Sequence, residues 1–576
     1  MAVNGAVERR WILKEVDESE ARSLASATGL HVNTTRLLVS RGVNDPEAVR
    51  RYLEPRLTDM PDPFLLADAE KAAHRLADAV VRGERIALYG DYDVDGVTST
   101  TLMAAFLRMH GVEAVVYIPK RLIEGYGLNE AAVEHLAGLG TQVLVTLDCG
   151  ITAADEIARA NTHGIDVIVV DHHKCPPELP PAYATLNPHQ DHCPYPDKVL
   201  AAVGVCFNLV VGLRKVLRER GYYTGDQAEP NLRRLLDLVA LGSIADMVPL
   251  IGVNRLFTWF GMLELRHAKR PGVRALMEVS RVRPVKCDSG DVAFKLGPRI
   301  NAAGRLDDAS VGVRLLLTED LSEARRLAAA LDEANGNRQA IEGEVFRQAC
   351  ELVESQASLP DAIVLANERW HPGVVGIVCS KLVERFDRPA VLIGEGGRGS
   401  ARSARGLHLY DALVDCAEHL TKFGGHRAAA GMRIPFAHVD AFRAAFLTRV
   451  KADPDFGAVT ESTLMYDGDI APEDVNEGWY RELMRLEPFG LGNPEPLFRL
   501  RGVRLRSLRV VGVDHLKLRL QEGRFGGLSC IAFKMGEKAE SLAPGAPVEM
   551  AAHLMMNEFS GLETLELRVR DLRVTA

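Results

Sequence analysis

The chain lacks the marks of several protein classes. Its nine cysteines form no CxxC pair, and some, such as Cys206 and Cys379, lie inside apolar runs. Thiols scattered in this way fit a reducing cytosol better than a disulfide frame. No apolar run approaches the length needed to cross a bilayer. Residues 1–16 mix charge and have no continuous apolar core, so no signal peptide is expected. These absences predict a soluble, cytoplasmic protein with no membrane role. Positive charge is not in excess either: 69 Lys and Arg stand against 78 Asp and Glu, a net charge of −9. Any nucleic-acid role therefore needs a local basic groove rather than a global field. Repeats and low-complexity tracts are absent. His189, His192 and Cys193 crowd together, but Pro188, Pro194 and Pro196 mark an irregular loop that argues against zinc there.

What is present is acidic and strategically spaced. Gly90-Asp91-Tyr92-Asp93-Val94-Asp95-Gly96 puts carboxylates at every second position, after the apolar stretch Arg85-Ile86-Ala87-Leu88-Tyr89 and before a helical pattern over 97–108. The carboxyl edge of a strand in an α/β sheet is a usual place for a ligand site. Three acidic groups this close repel one another and need a cation to be ionised together. Oxygen ligation favours a hard ion such as Mg²⁺ or Mn²⁺ over zinc. Three further apolar runs end in the same way. Val143-Leu144-Val145-Thr146-Leu147 leads to Asp148; Ile165-Asp166-Val167-Ile168-Val169-Val170 leads to Asp171-His172-His173; and the run over 235–245 leads to Asp246. Laid side by side in a parallel sheet, such ends meet at one edge, where the imidazoles add ligands suited to Mn²⁺ and a proton donor.

These motifs resemble the four motifs of the DHH phosphoesterases. Within that superfamily the chain resembles the bacterial single-strand-specific 5′→3′ DNA exonucleases over nearly its whole length. The likeness includes Glu124-Gly125-Tyr126-Gly127-Leu128, Leu296-Gly297-Pro298-Arg299-Ile300-Asn301-Ala302-Ala303-Gly304-Arg305-Leu306, Trp370-His371-Pro372-Gly373-Val374-Val375-Gly376-Ile377 and Phe423-Gly424-Gly425-His426-Arg427-Ala428-Ala429-Ala430-Gly431. Related phosphatases carry a histidine four residues before the first metal aspartate; this chain has Tyr89 instead.

At 576 residues the chain is too long for one core. The expected fold class is multidomain α/β. A lead-in covers 1–67, a parallel-sheet DHH catalytic domain 68–266, and a substrate loop with a long connecting helix 267–360. The helix, over 321–356, is proline-free, with Gly336 and Gly343 as places where it could break. A second α/β unit, the DHH-associated domain by resemblance, covers 361–451. From 452 to 576, period-two patterns such as Leu516-Lys517-Leu518-Arg519-Leu520 predict a small antiparallel barrel. The resemblance makes this an oligonucleotide-binding (OB) fold. Arg504, Arg506, Arg509 and Arg519 suit a phosphate-facing role there.

The resemblance implies a metal-dependent exonuclease that hydrolyses single-stranded DNA from the 5′ end in recombination and repair, using two divalent ions, Mn²⁺ or Mg²⁺. Asp93, Asp95, Asp148, His172 and Asp246 are the expected ligands, with Asp148 bridging, Asp93 and His172 on one ion, and Asp95 and Asp246 on the other. Asp91 is a ligand or orients one. His173 protonates the leaving oxygen or holds a phosphate oxygen. Arg299, Asn301 and Arg305, in a Gly/Pro-bounded loop, suit phosphate and sugar oxygens, although pairing with Asp307 and Asp308 would serve structure alone. Gly424, Gly425 and His426 form a second anion site with Ser400, Arg402, Ser403 and Arg405 upstream, while Trp370, His371, Phe423 and Phe489 are candidates for stacking on bases. Gly394 to Gly399 reads as a hairpin turn, since no Gly-Lys-Ser/Thr follows it. A DHH phosphodiesterase for short oligonucleotides, cyclic dinucleotides or pyrophosphate, and an inactive DNA-binding scaffold, are the alternatives. Family analogy adds single-strand-binding protein and a helicase as partners.

Overall fold

The computed structural model describes residues 9–121, 123–224, 228–306, 308–457, 463–522, 527–559 and 561–575. The chain divides into two compact units: residues 1–60, 249–259 and 461–576 make one, and 61–248 with 260–460 the other. Its first strand, β1 (Arg10–Leu13), belongs to the former.

The larger unit begins with a five-stranded parallel sheet built from β2 (Ile86–Gly90), β3 (Val115–Tyr117), β4 (Val143–Leu147), β5 (Asp166–Val170) and β6 (Ala184–Leu186), in the order β3-β2-β4-β5-β6. Every residue of β2 and β4 is buried, which is why these strands read as unbroken apolar runs rather than alternating ones. On one face Ala87, Tyr89, Leu144, Val167 and Val169 pack with Ala132, Val133 and Leu136 of the helix Glu130–Gly138 and with Ile157 and Ala160 of Ala154–Thr162.

Two elements differ from expectation. The run ending at Asp246 is not a strand but the helix Leu236–Ala245, with Asp246 as its C-cap. All nine residues over 236–244 are buried, so it carries no polar face to betray a helical period. The segment expected as a Gly/Pro loop is the helix Gly297–Leu306, entered through a π-helical turn, Val292–Leu296. Pro298 follows that π-turn, inside a helical run that is continuous from Ser289, so a π-turn and not a free helix start precedes it.

The helix Leu321–Glu354 follows, 34 residues without a break and about 50 Å long. Gly336 and Gly343 are both exposed on it and do not interrupt it. Beyond lies a mixed sheet of β7 (Ile363–Ala366), β8 (Ala390–Ile393), β9 (Arg398–Arg402), β10 (Lys422–Gly425) and β11 (Ala429–Arg433), ordered β10-β11-β9-β8-β7. Only β7 and β8 run parallel. The Gly394 to Gly399 segment does join β8 to β9 as an antiparallel hairpin.

In the other unit β1 pairs in parallel with β12 (Thr463–Tyr466), and β13 (Gly468–Ile470) with β14 (Phe498–Val511). Strands β14, β15 (His515–Leu520), β16 (Ser529–Ala532), β18 (Leu562–Val574) and β17 (Pro547–Phe559) close into a five-stranded barrel, because β14 pairs with both β15 and β17. Not every pair is antiparallel: β16 and β18 run parallel. The expected lead-in belongs to this unit as far as Met60, and its last residues, from Pro61, to the other. Leu24, Leu37, Leu38, Val49 and Leu53 of its helices share one apolar core with Trp479, Phe498, Leu518 and Met550. No helix among the described residues is long and apolar enough to cross a membrane.

Candidate functional site

The carboxyl edge of the parallel sheet gathers the acidic residues by simple register. Asp91, Asp148 and Asp171 each stand one residue beyond the end of a strand. Each still extends the hydrogen-bond ladder to the next strand: the N–H of Asp91 donates to Leu147 O at 3.1 Å, that of Asp148 to Val170 O at 2.9 Å and that of Asp171 to Leu186 O at 3.0 Å. The three carboxylates are therefore held by backbone. Asp148 pays with a left-handed φ of 65°, a conformation that costs a non-glycine residue on the order of 1–3 kcal/mol and persists where function requires it.

The helix Val94–Arg108 starts three residues earlier than its sequence pattern suggested. Asp93 is its N-cap and accepts from the N–H groups of Asp95 (2.9 Å) and Gly96 (3.2 Å) through Oδ1. Gly96 is required by space, since a Cβ there would lie 2.5 Å from Asp91 O. Asp95 reaches across to the helix Ala202–Glu219, accepting from Ala202 N at 2.7 Å and Val203 N at 2.9 Å. That helix has no capping side chain of its own, so Asp95 meets its orphan donors.

His172 joins the clusters. Its Nε2 lies 3.3 Å from Asp148 Oδ1, 3.7 Å from Asp246 Oδ2 and 3.9 Å from Asp95 Oδ2. Among the described residues, three sets have ligand atoms close enough to share an ion: Asp148 with His172 and His173; Asp95 with His172 and Asp246; and Asp91 with Asp93 and Asp148. Tyr89 takes no part. Its hydroxyl donates to Gly127 O at 2.7 Å and its ring stacks on Tyr117.

The electrostatics are those of a site that wants cations. Burial and the Asp93 charge push Asp91 well above the ordinary carboxylate value. Burial, then Asp246 and Asp93, do the same to Asp95; burial, then Asp95 and Asp93, to Asp148. Asp246 rises to about 7, through burial and Asp93. Asp91 Oδ1 and Asp148 Oδ1 are buried with no hydrogen-bond partner, a costly state for a carboxylate oxygen unless a cation meets it. The two histidines diverge. Burial and the neighbouring His173 bring His172 down to about 4, leaving the neutral imidazole that ligation needs. Burial also opposes charge on His173, but the hydrogen bond to Asp171 and that carboxylate's charge outweigh it and lift the ring to about 9. Oxygen ligands with one neutral imidazole suit Mn²⁺ or Mg²⁺. The residues present fit such a centre.

The expected substrate residues fare unevenly. Arg299 is held by Asp332 (Nε to Oδ1, 2.8 Å) and by Lys295 O (2.7 Å); of the partners expected for it, Asp307 lies outside the described residues. Asn301 Oδ1 accepts from Val94 N at 3.0 Å. Arg305 donates to Gly373 O at 3.3 Å and is brought down to about 10 by burial and the like charges of Arg121 and Arg338. Trp370 is a correction: it is 1% exposed and its indole N–H donates to Gln348 Oε1 at 2.8 Å, so it has no face for a base. Phe423 and Phe489 pack against apolar cores. His371 caps the helix Pro372–Phe386, accepting from Gly373 N at 3.1 Å. Ser403 donates to Leu407 O at 2.7 Å, and Arg405 pairs with Asp387. Arg402 lies on β9, half-buried and beside Gly376. Gly424 and Gly425 lie on the exposed edge strand β10, with His426 exposed just after it.

Sequence reasoning passed over three contributors. Asp171 Oδ1 accepts from the backbone N–H groups of His172 and His173 and from His173 Nδ1. The Tyr126 hydroxyl stands 3.4 Å from both ring nitrogens of His173. Arg121 lies over the Tyr92 ring, 4.8 Å from its centroid. Asp171 had its place at the end of an apolar run as a signal, and Tyr126 only its place in a quoted motif; nothing in the sequence singled out Arg121.

A parallel sheet with this acidic edge and a second α/β domain is the architecture of DHH-domain proteins. The family models agree: "DHH family, N-terminal domain" matches 85–243, "DHHA1 domain" 360–452 and "RecJ OB domain" 466–571. The chain is 37% identical to the single-stranded-DNA-specific exonuclease RecJ of Bacillus subtilis, covering 99% of this chain and 71% of that protein. It is 39% identical to the protein of that name from Escherichia coli, covering 93% and 95%. The crystal structure of RecJ in complex with Mn²⁺ from Thermus thermophilus superposes with a TM-score of 0.83 at 31% identity, covering 98% of this chain and 80% of that one. The chain belongs to the RecJ family.

Proposed function

We propose that this protein is a divalent-metal-dependent exonuclease that degrades single-stranded DNA from the 5′ end and releases mononucleotides, in recombination and repair. The carrying observation is the pair of buried carboxylate oxygens on Asp91 and Asp148 that make no hydrogen bond, inside a crowd of mutually repelling aspartates. Family membership supplies the substrate class. Two ions, Mn²⁺ or Mg²⁺, held by Asp91, Asp93, Asp95, Asp148, His172 and Asp246, would supply Lewis-acid stabilisation to the attacking and leaving oxygens. We assign Asp95, His172 and Asp246 to one position and Asp91, Asp93 and Asp148 to the other, in place of the expected pairing of Asp93 with His172; Asp148 also lies within ligand reach of His172 and His173, in keeping with a bridging role.

The chain's own groups do the rest. The hydrogen bond to Asp171 favours the protonated form of His173, whose Nδ1 stands 3.9 Å from Asp148 Oδ1. From there the ring sets a positive charge against a phosphate oxygen and has a proton for the leaving oxygen. Tyr126 braces that ring. Arg305, with Arg121 and Arg338 near it, concentrates positive charge beside the acidic turn, where a phosphate would compensate it. On the barrel, Arg504 and Arg509 are exposed on β14 and suit a longer single strand. His371, Arg402, Ser403, Gly424, Gly425 and His426 remain our assignment for the DHH-associated side of the substrate path. For this function we keep the catalytic, connecting and DHH-associated boundaries at 68–266, 267–360 and 361–451.

A phosphodiesterase restricted to dinucleotides has no use for the barrel, and an inactive scaffold would have lost ligands that are all present. A cytoplasmic setting agrees with nine unpaired cysteines, and single-strand-binding protein and a helicase are the partners this activity calls for. The test is digestion of a long single strand labelled at either end, with Mn²⁺, with Mg²⁺ and with chelator. Early mononucleotide release from the 5′ end, abolished by chelator, is expected. Cleavage of dinucleotides alone, or binding with no cleavage under either metal, would sink the proposal.

A further inference from the structure

The helix Gly297–Leu306 lies against the acidic centre at successive turns. Gly297 sits where a Cβ would come within 3.1 Å of Ala245 Cβ, the residue before Asp246. One turn on, Asn301 Oδ1 accepts from Val94 N at 3.0 Å. At Gly304 an added Cβ would meet Tyr92 O at 2.5 Å, so only glycine permits this approach to the turn. At the far end Arg305 donates to Gly373 O, at the start of the helix Pro372–Phe386. One element therefore touches the backbone of the turn that carries Asp93 and the side chain of Ala245, next to Asp246.

We propose that Asn301 is a positioning residue for the metal centre, acting through the acidic turn rather than by contact with substrate. The inference rests on the metal-dependent reading above. The first N–H groups of a helix have no partner inside it. Asp93 Oδ1 already meets those of Asp95 and Gly96, and Asn301 meets that of Val94. Without Asn301, the orphaned Val94 N–H competes for the Asp93 carboxylate and draws it from the centre. The sequence pattern suggested a sugar or phosphate contact for Asn301; its hydrogen bond instead fixes the geometry of a ligand, the role that outer groups play around metal sites.

The test compares full-length wild type with Asn301→Leu, which keeps the branching but has no acceptor, and Asn301→Asp, which keeps the acceptor. Mn²⁺ binding is measured by calorimetry, single-strand binding in chelator by fluorescence anisotropy, and turnover separately. Asn301→Leu should weaken Mn²⁺ roughly tenfold or more and lower kcat, with oligonucleotide affinity in chelator unchanged. Asn301→Asp should recover most of the Mn²⁺ affinity. Lost oligonucleotide affinity with Mn²⁺ binding intact would overturn the proposal and make Asn301 a substrate contact. If Asn301→Leu fails to fold, Asn301→Ala carries the test, and unchanged Mn²⁺ affinity there overturns it too. A wild type that binds no Mn²⁺ would instead bring down the metal-dependent reading itself.

Discussion

His173 donates from Nδ1 to Asp171 Oδ1 at 2.7 Å, and this bond decides the charge on the ring. A buried imidazole is ordinarily driven neutral, as His172 is. Asp171 reverses that for its neighbour. Asp171→Asn should release the His173 proton at lower pH, because the carboxylate favouring the charged ring is gone. The alkaline limb of the pH–rate profile should move to lower pH, with single-strand binding in chelator little changed. An unmoved limb would mean that His173 does not titrate in the reaction.

Asp148 stands in two of the three candidate ligand sets. Asp148→Ala should cut turnover by roughly 10²–10³-fold or more, the scale for losing one strong charge-stabilising group. DNA binding in chelator should survive. Persistent activity would remove Asp148 from the centre.

Stability of the metal-free protein should depend on pH through Asp246. Unfolded, its carboxyl ionises near 3.8; folded, near 7. Across that window the folded state holds a proton that the unfolded state has released, so stability falls as pH rises. In chelator, the Tm of Asp246→Asn should gain on wild type as pH climbs from about 4 to about 7. Mn²⁺ should reverse the order by stabilising wild type. A Tm difference flat across the window would show that Asp246 is not held protonated.

Trp370→Phe should cost about 1 kcal/mol of stability, for the hydrogen bond to Gln348, and leave KM for single-stranded DNA unchanged. A raised KM with normal stability would return Trp370 to the substrate path.

Arg504→Ala and Arg509→Ala should weaken binding to long single strands. Each should reduce the salt dependence of binding by about one unit of slope if it meets a phosphate. Hydrolysis of dinucleotides should not change. Equal loss on both substrates would make the barrel structural support.

Asp93, Asp95, Asp148, His172 and Asp246 were legible as one group because each follows a distinctive run of residues, and strand ends in a parallel sheet meet at one edge. How they arrive was less legible. The Leu236–Ala245 helix, buried all round, has the same composition as a buried strand, and only its packing against the helix Val94–Arg108 distinguishes them. Gly297-Pro298 looked like punctuation for a loop, yet the π-turn Val292–Leu296 carries the helix through it. Trp370 illustrates the limit for aromatics: burial is a property of neighbours, and Gln348 lies 22 residues away.

The sequence by itself determined the chemistry: carboxylates and imidazoles at strand ends, the parallel sheet, the long helix and the alternating strands of the barrel. Such signals are local, written in residue type and period. Tertiary structure alone decided that Asp171 hydrogen-bonds His173 while burial drives His172 toward neutrality, that Asn301 faces a backbone N–H, and that helices over 18–53 share a core with the barrel strands. Those outcomes depend on which groups meet across long separations in sequence, where burial and charge set energies that no local pattern carries.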